Sequence, residues 1–275
     1  YTVKELVQQS HLYCEKFDDW HGGWEENAPE GFRMIDNTEA TTIRTMMASK
    51  ELEITDMWQS TENLTAMSKL DGVSLASYST MLIQSMYFNT KKAPTDDVNY
   101  RKALSCLFDY DMIINNIFPE SSRAIGPVSS YTAGHVDTTL YNYDLEKAKE
   151  YLAQSKYADS YQDMPIEILC NSDVQDLEKI ALAFQAAAQQ VGIPVEITKA
   201  PWVTIERVSS VDSTPHCLSI NAGPNFNEAG STLETRYHSK TTGTYENGEW
   251  LQDTELDKQI EDALATVDKD ERFAK

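Results

Sequence analysis

The clearest hydrophobic pattern in the chain runs from Pro165 to Thr198. Apolar residues first alternate with polar ones, which predicts a half-buried strand. A longer segment then repeats apolar residues every three to four positions, which predicts a helix with one buried face. Gly192 follows that helix, where a left-handed residue is favoured, and a second strand starts near Val195. Strand, helix and strand of these lengths favour a right-handed crossover between two parallel strands.

Shorter segments of the same kind flank this unit. Thr95, Asp96 and Asp97 are candidate caps for one apolar helical stripe, and Asp109 and Asp144 each precede another. We expect them to cap helices, because a carboxylate accepts the free N–H groups of a first helical turn. The apolar segments Leu52 to Trp58 and Met81 to Asn89 predict two further strands. Strands and helices that alternate in this way predict an α/β fold.

Composition limits the class of protein without identifying it. The chain has 275 residues, 41% of them hydrophobic and 24% charged, as in ordinary globular domains. Its net charge of −21 comes from 44 acidic and 23 basic residues, and this charge repels phosphate backbones. We therefore expect no nucleic-acid partner. A solvated acidic surface explains the charge better than a site for cationic ligands does.

Residues that carry out chemistry are scattered. The chain has neither the G-x-S-x-G nor the H-E-x-x-H motif, and it has no glycine-rich phosphate loop. Five histidines lie far apart, and the four cysteines include no C-x-x-C pair. A disulfide between Cys170 and Cys217 is open at this stage, as is simple core packing of both thiols. We expect no catalytic residue, no metal site and no cofactor.

Six short segments follow one another in the order that they have in a known protein family. They are Phe17–Gly23, Tyr87–Thr90, Asp97–Asp111, Tyr143–Lys149, Gln189–Val195 with the later Trp202, and Glu255–Arg272. Each resembles a motif of the family 5 extracellular solute-binding proteins, such as N-P-D-Y-W-G-G for the first and Y-D-P-E-K-A-K for the fourth. This family comprises the oligopeptide- and dipeptide-binding proteins of bacterial ABC importers.

The resemblance implies an α/β fold of the periplasmic-binding-protein-like type II, with parts of two α/β lobes. Residues 1–90 would form part of lobe I and residues 91–275 most of lobe II. Family members carry further segments on both sides of the matched region. We therefore expect a fragment that binds ligand weakly by itself.

The same resemblance implies a role in import and a location. A peptide or another small molecule would be captured between the two lobes and delivered to an ABC permease in the membrane. We expect a monomer outside the cell or in the periplasm, with a lipid anchor on the full-length protein.

A motif like G-W-x-x-D-Y-x-D-P, whose first aspartate pairs with the peptide's α-amino group in peptide-binding members, corresponds to Asn221–Ala229. Ala222 occupies the tryptophan position and Asn225 the aspartate position, which weakens the usual recognition of a peptide amine. The predicted ligand-binding residues are Asn221, Ala222, Asn225, Phe226, Trp202 and Tyr87. For Trp202 and Tyr87, plain core packing is an equal alternative.

Two other functions compete with import. One is a sensor that reports a bound ligand to a signalling or transcriptional partner. The other, which the sequence favours less, is a hydrolase on a similar α/β frame, with Asp109 and Asp111 as its paired carboxylates. Capping of a helix accounts for those two aspartates without any catalysis.

Overall fold

A computed structural model describes residues 1–119, 121–138 and 140–275, and its contacts divide the chain into two units, Tyr1–Leu75 and Ala76–Lys275. The first unit contains strands β1 (Thr2–Val7), β2 (His11–Glu15) and β3 (Gly31–Ile35) and helices α1 (Ala40–Ala48) and α2 (Thr61–Met67). The three strands form an antiparallel sheet in that order, and Ile43, Met47 and Met67 form a core between the two helices.

The second unit contains strands β4 (Ile83–Phe88), β5 (Ile166–Asn171), β6 (Val195–Ala200) and β7 (Cys217–Ala222). Its helices are α3 (Val98–Ser105), α4 (Tyr110–Met112), α5 (Leu145–Ala153), α6 (Gln175–Gln190), α7 (Trp202–Ile205), α8 (Ala229–Tyr237), α9 (Thr254–Ala265) and α10 (Lys269–Phe273). A π-helical turn at Ile113–Ile117 continues α4, and short 3-10 turns lie at Tyr161–Asp163, Ser239–Thr241 and Tyr245–Asn247.

The sheet of the second unit has the strand order β4-β7-β5-β6. Strand β7 is parallel to β5 and antiparallel to β4, and β5 is parallel to β6. The predicted strand–helix–strand crossover is confirmed in β5, α6 and β6, and Gly192 has the expected positive φ of 83°. In α6, the stripe that includes Leu177, Ile180 and Phe184 is buried, as the 3.6-residue period predicts.

Side chains of β7 alternate between two hydrophobic cores, one on each face of the sheet. Cys217 belongs to the larger core, which α3, α5 and α6 cover. Leu218 and Ile220 belong to the smaller core on the opposite face, together with Ile205 of α7. The thiols of all four cysteines are free and buried, so the possible disulfide between Cys170 and Cys217 is not formed.

The three predicted aspartate caps are confirmed. One side-chain oxygen of Asp97, Asp109 and Asp144 accepts the backbone N–H three residues further on, at 2.8, 3.0 and 2.8 Å. Each bond satisfies an N–H group that a helix start leaves without a partner. Capping therefore accounts for the position of Asp109.

One expectation about the first ninety residues differs from the structure. The predicted strand from Leu52 to Trp58 is wrong, because Asp56 accepts the N–H of Trp58 at 2.7 Å and turns the chain. The strand predicted over Met81 to Asn89 forms as β4, but it pairs with β7 in the second unit. The boundary between the units is therefore at Leu75, whereas the expected lobe boundary follows Thr90. The assignment of lobes stays a prediction.

Candidate ligand-binding site

Three parallel strands end at one edge of the sheet, and most of the predicted ligand-binding residues lie there. Asn221 and Ala222 are the last two residues of β7, and Asn225 and Phe226 lie in the loop that follows. Carboxyl ends of parallel strands are where open α/β sheets bind ligands, because the loops that follow them project from the same edge. These are four of the six predicted residues, although the side chain of Ala222 is only 7% exposed and packs in the smaller core.

The segment Gly223–Glu228, which we call the β7–α8 loop, is held through both its backbone and its side chains. The N–H of Asn225 donates to Ser231 Oγ at 2.9 Å. The N–H of Ala133 donates to Asn227 Oδ1 at 3.0 Å, and the N–H of Ala229 donates to the carbonyl of Ala133 at 2.8 Å. The side chains of Asn225 and Phe226 remain exposed, the latter by 57%. The loop is thus fixed in place while those two side chains are open to solvent.

Trp202 lies at the same edge, at the start of α7 and directly after β6. Its backbone N–H donates to the carboxylate of Asp173, which follows β5, at 2.8 Å. Its ring meets that of Tyr245 edge-on, with the centroids 4.9 Å apart. Because both the backbone and the ring are held, Trp202 forms a rigid and partly exposed surface beside the strand ends.

Tyr87 is placed elsewhere. It is only 8% exposed and packs in the smaller core with Leu218 and Ile220. In the β4–β7 ladder Ile83 pairs with Ala222, and Tyr87 is four residues further along, which is about 13 Å from the carboxyl edge. Burial raises the pKa of its hydroxyl. The structure therefore does not bring Tyr87 to the edge where the other predicted residues lie.

Sequence reasoning missed a polar patch on the β4–β7 ladder. Gln84 pairs with Asn221 in register, and its Nε2 donates to Ser219 Oγ at 3.1 Å. These three residues share one face of the sheet, next to the carboxyl edge. The polar positions within an otherwise apolar β7 were the available signal, since a central strand buries a polar side chain only with a partner.

Charged groups are also buried beneath the smaller core. Glu249 is 8% exposed and Arg236 is 7% exposed. Neither carboxylate oxygen of Glu249 has a hydrogen-bond partner in another residue of the described chain. Burial raises the pKa of this carboxyl to about 8, against the opposing effects of its own backbone N–H and of Arg236. Near neutral pH Glu249 is therefore largely protonated, and it adds little negative charge near the sheet.

A cavity of about 240 Å³ lies beside Glu228, the last residue of the β7–α8 loop, and the start of α8. Its apolar lining includes Val128, Val136, Leu233, Leu264 and Phe273. At its border Glu228 and Arg272 form a two-pronged ion pair, with N–O distances of 2.8 and 3.2 Å. Within the described residues, no cluster of three or more potential metal ligands occurs and no helix is long and apolar enough to span a membrane.

Comparison with known proteins places the chain in a family. The sequence profile of the bacterial extracellular solute-binding proteins, family 5, middle region, matches residues 1–244. The probable D,D-dipeptide-binding periplasmic protein DdpA of Escherichia coli K12 is 27% identical over 238 residues, which is 85% of this chain and 45% of that protein. The chain thus spans about half the length of such a relative.

Solved structures agree in fold. The dipeptide-binding protein of Pseudoalteromonas sp. SM9913, in complex with Met-Leu, has a TM-score of 0.87 at 19% identity, over 99% of this chain and 54% of that one. AgaA of A. tumefaciens R10, in complex with agropinic acid, has a TM-score of 0.84 at 20% identity, over 99% and 55% of the two chains. These likenesses confirm the expected α/β fold of type II periplasmic binding proteins. The chain belongs to the bacterial extracellular solute-binding proteins of family 5.

Proposed function

We propose that this chain is the ligand-binding part of a substrate-binding protein of an ABC importer. One observation carries the proposal: Asn221, Ala222, Asn225 and Phe226 lie together at the carboxyl edge of the sheet, and the last two expose their side chains. The loop that bears them is fixed by backbone hydrogen bonds, so it meets a ligand with little loss of conformational freedom. Trp202 supplies a rigid aromatic wall at the same edge.

The ligand in this proposal is a peptide or a peptide-like small molecule. DdpA is named for D,D-dipeptides, and the Pseudoalteromonas protein holds Met-Leu. Asn225 accepts a hydrogen bond from a ligand amine through its amide oxygen, but it brings no negative charge to that contact. Recognition here therefore depends less on a free α-amino group than on hydrogen bonds and on contact with Phe226 and Trp202.

The remaining parts of the proposal concern the whole protein. It works as a monomer outside the cell or in the periplasm, is held at the membrane by a lipid anchor, and delivers its ligand to an ABC permease. The family's description as extracellular supports the location. The net charge of −21 disfavours any nucleic-acid partner.

Calorimetric titration of the full-length protein tests the binding function directly. The probes are Met-Leu, L-Ala-L-Ala and D-Ala-D-Ala, and native mass spectrometry of the purified full-length protein identifies any ligand that it retains. We expect a Kd in the micromolar range or below for at least one dipeptide or for a retained ligand. Phe226→Ala should weaken that binding about tenfold, since a truncated aromatic contact at an interface costs 1 to 2 kcal/mol.

Tyr143→Ala is the matched control, because it removes another partly exposed aromatic ring on the segment before α5. Its affinity should equal that of the unchanged protein. The proposal fails if no dipeptide binds and no ligand is retained. It also fails if Phe226→Ala and Tyr143→Ala bind equally well.

A further inference from the structure

The β7–α8 loop is tied to the end of the chain by the ion pair between Glu228 and Arg272. Nε of Arg272 donates to Glu228 Oε1 at 2.8 Å, and a terminal nitrogen, Nη2, donates to Oε2 at 3.2 Å. Both side chains are largely buried, with about a fifth of their surface exposed. Paired bonds of a guanidinium to a carboxylate are stronger and more directional than a single contact, because both groups are planar and charged.

Arg272 is itself held from the opposite side. Its remaining nitrogen, Nη1, donates to the carbonyls of Thr266 and Val267 at 2.7 and 3.2 Å. These two carbonyls follow α9, so the guanidinium links the turn between α9 and α10 to Glu228. All three guanidinium nitrogens of Arg272 donate hydrogen bonds, and the position of the guanidinium group is therefore fixed.

Glu228 occupies the position just before α8, where a side chain usually caps the helix, but its carboxylate makes no capping bond there. It bonds to Arg272 instead. The backbone of the same residue belongs to the loop, since its N–H donates to the carbonyl of Phe226 at 2.7 Å. The residue that pairs with Arg272 is thus hydrogen-bonded through its backbone to Phe226, whose ring we propose to meet the ligand.

The surrounding packing leaves the loop room to move if the ion pair is lost. The cavity of about 240 Å³ is lined by Glu228, by Arg272 and by the first residues of α8. At another point Gly134 lies so close to Phe273 and Ala229 that an added Cβ would stand 3.0 to 3.1 Å from them. These close contacts lie just beyond the loop, at the start of α8, while Glu228 within the loop is held by the ion pair beside the cavity.

We propose that Arg272 is a positioning residue, and that its ion pair with Glu228 holds the β7–α8 loop in the conformation that binds ligand. The effect on affinity rests on the proposed function. The effect on the loop does not, because it can be measured without any ligand.

Amide hydrogen exchange followed by mass spectrometry tests the loop directly in the 275-residue chain. The variants are Arg272→Lys, Glu228→Gln and the double variant. Arg272→Lys keeps the positive charge but loses the paired hydrogen bonds of the guanidinium, and Glu228→Gln removes the negative charge. Each single substitution should speed exchange over residues 224–231 about tenfold, as the loss of a charge-assisted hydrogen bond predicts. The double variant should exchange no faster than either single one, since both remove the same interaction.

Asp262→Asn is the control, because it removes an exposed ion pair with Lys275 at 2.9 Å that does not contact the loop. It should leave exchange over residues 224–231 unchanged. The inference is overturned if Arg272→Lys and Glu228→Gln leave that exchange within twofold of the parent chain. It is also overturned if exchange rises throughout the second unit, since that would show general loss of structure.

The second arm measures dipeptide dissociation in the full-length protein, using whichever of Met-Leu, L-Ala-L-Ala or D-Ala-D-Ala binds. Arg272→Lys should speed dissociation about tenfold while the thermal midpoint changes little. Faster exchange in the loop with unchanged dissociation would overturn the link to ligand binding. If the parent protein binds none of the probes, the proposed function fails, and the exchange arm still decides whether Arg272 positions the loop.

Discussion

The carboxylate of Asp173 accepts the backbone N–H of Trp202 at 2.8 Å and so joins the end of β5 to the start of α7. The two residues are held a second time by the chain before them, because the N–H of Ser172 donates to the carbonyl of Ala200 at 2.9 Å. The side chain of Asp173, in the loop after β5, thus caps α7, which is the helix that follows the neighbouring strand β6. The aromatic wall of the candidate site depends on this contact.

Asp173→Ala should lower the free energy of unfolding by about 1 to 2 kcal/mol, the usual cost of losing a charged cap. Urea denaturation measures this change. Ser172→Ala removes an exposed hydroxyl that donates to the other oxygen of this carboxylate at 3.5 Å but leaves the contact with Trp202, so it should change the free energy by less than about 0.5 kcal/mol. Equal losses in the two variants would contradict the role assigned to the carboxylate.

Asn225→Asp should tighten binding of ligands that carry a free amine. The substitution restores a negative charge at the exposed tip of the loop, and a charged acceptor binds an ammonium more strongly than an amide does. We expect a gain of about tenfold for Met-Leu in calorimetry, and none for N-acetylated Met-Leu, which lacks the charge. If affinity for both forms stays unchanged, Asn225 does not contact the amine.

Stability should fall as the pH rises through the range from about 4.5 to 8, in part because of Glu249. Its pKa is raised from 4.5 to about 8 in the folded protein, so within that range the folded chain holds a proton that the unfolded chain has released. Because unfolding releases that proton, each rise of one pH unit in this range lowers the free energy of unfolding by at most about 1.4 kcal/mol. Urea unfolding measured at several pH values follows the effect.

Glu249→Gln provides the matched variant, because the amide has the shape of the acid but does not ionise. It should reduce the slope between pH 4.5 and 8 and should be more stable than the parent at pH 8.5. Glu196→Gln, on the exposed side of β6, should leave the slope unchanged. The assignment is wrong if the two variants show the same dependence on pH.

Tyr87→Ala should cost about 3 kcal/mol or more of unfolding free energy, since it removes a buried aromatic ring from the smaller core. Affinity for the dipeptide that binds best should change by less than threefold, because the ring lies away from the carboxyl edge. Denaturation and calorimetry on the same preparation separate the two effects. A loss of affinity that exceeds the loss for Phe226→Ala would restore Tyr87 to the binding site.

Local patterns in the sequence predicted local structure well. The stripe of α6 and the caps at Asp97, Asp109 and Asp144 are decided by residues within a few positions of each other, and all of them are confirmed. The strand predicted from Leu52 to Trp58 does not form. The segment has the periodicity of a strand, but Asp56 turns the backbone. Periodicity alone does not report such a side-chain bond.

Pairings between distant residues could not be predicted in the same way. Gln84 and Ser219 are 135 positions apart, and Glu228 and Arg272 are 44 apart. Nothing in the residues near Arg272 indicates its partner, since a charged residue in a last helical turn usually faces solvent. Asn225 and Phe226 were chosen through the resemblance alone, and the structure places them in the loop that follows β7, while their role in binding stays a prediction.

Strand β7 is hydrogen-bonded to β4 on one side and to β5 on the other, and the β7–α8 loop follows its last residue. Because the strand and the backbone bonds fix the path of the loop, the side chains at its tip contribute little to folding. Under the proposed function, natural variation at Asn225 and Phe226 therefore changes what the protein recognises at little cost to its stability. This edge is accordingly the place to begin when relatives of this chain are compared for preference or when a new specificity is designed.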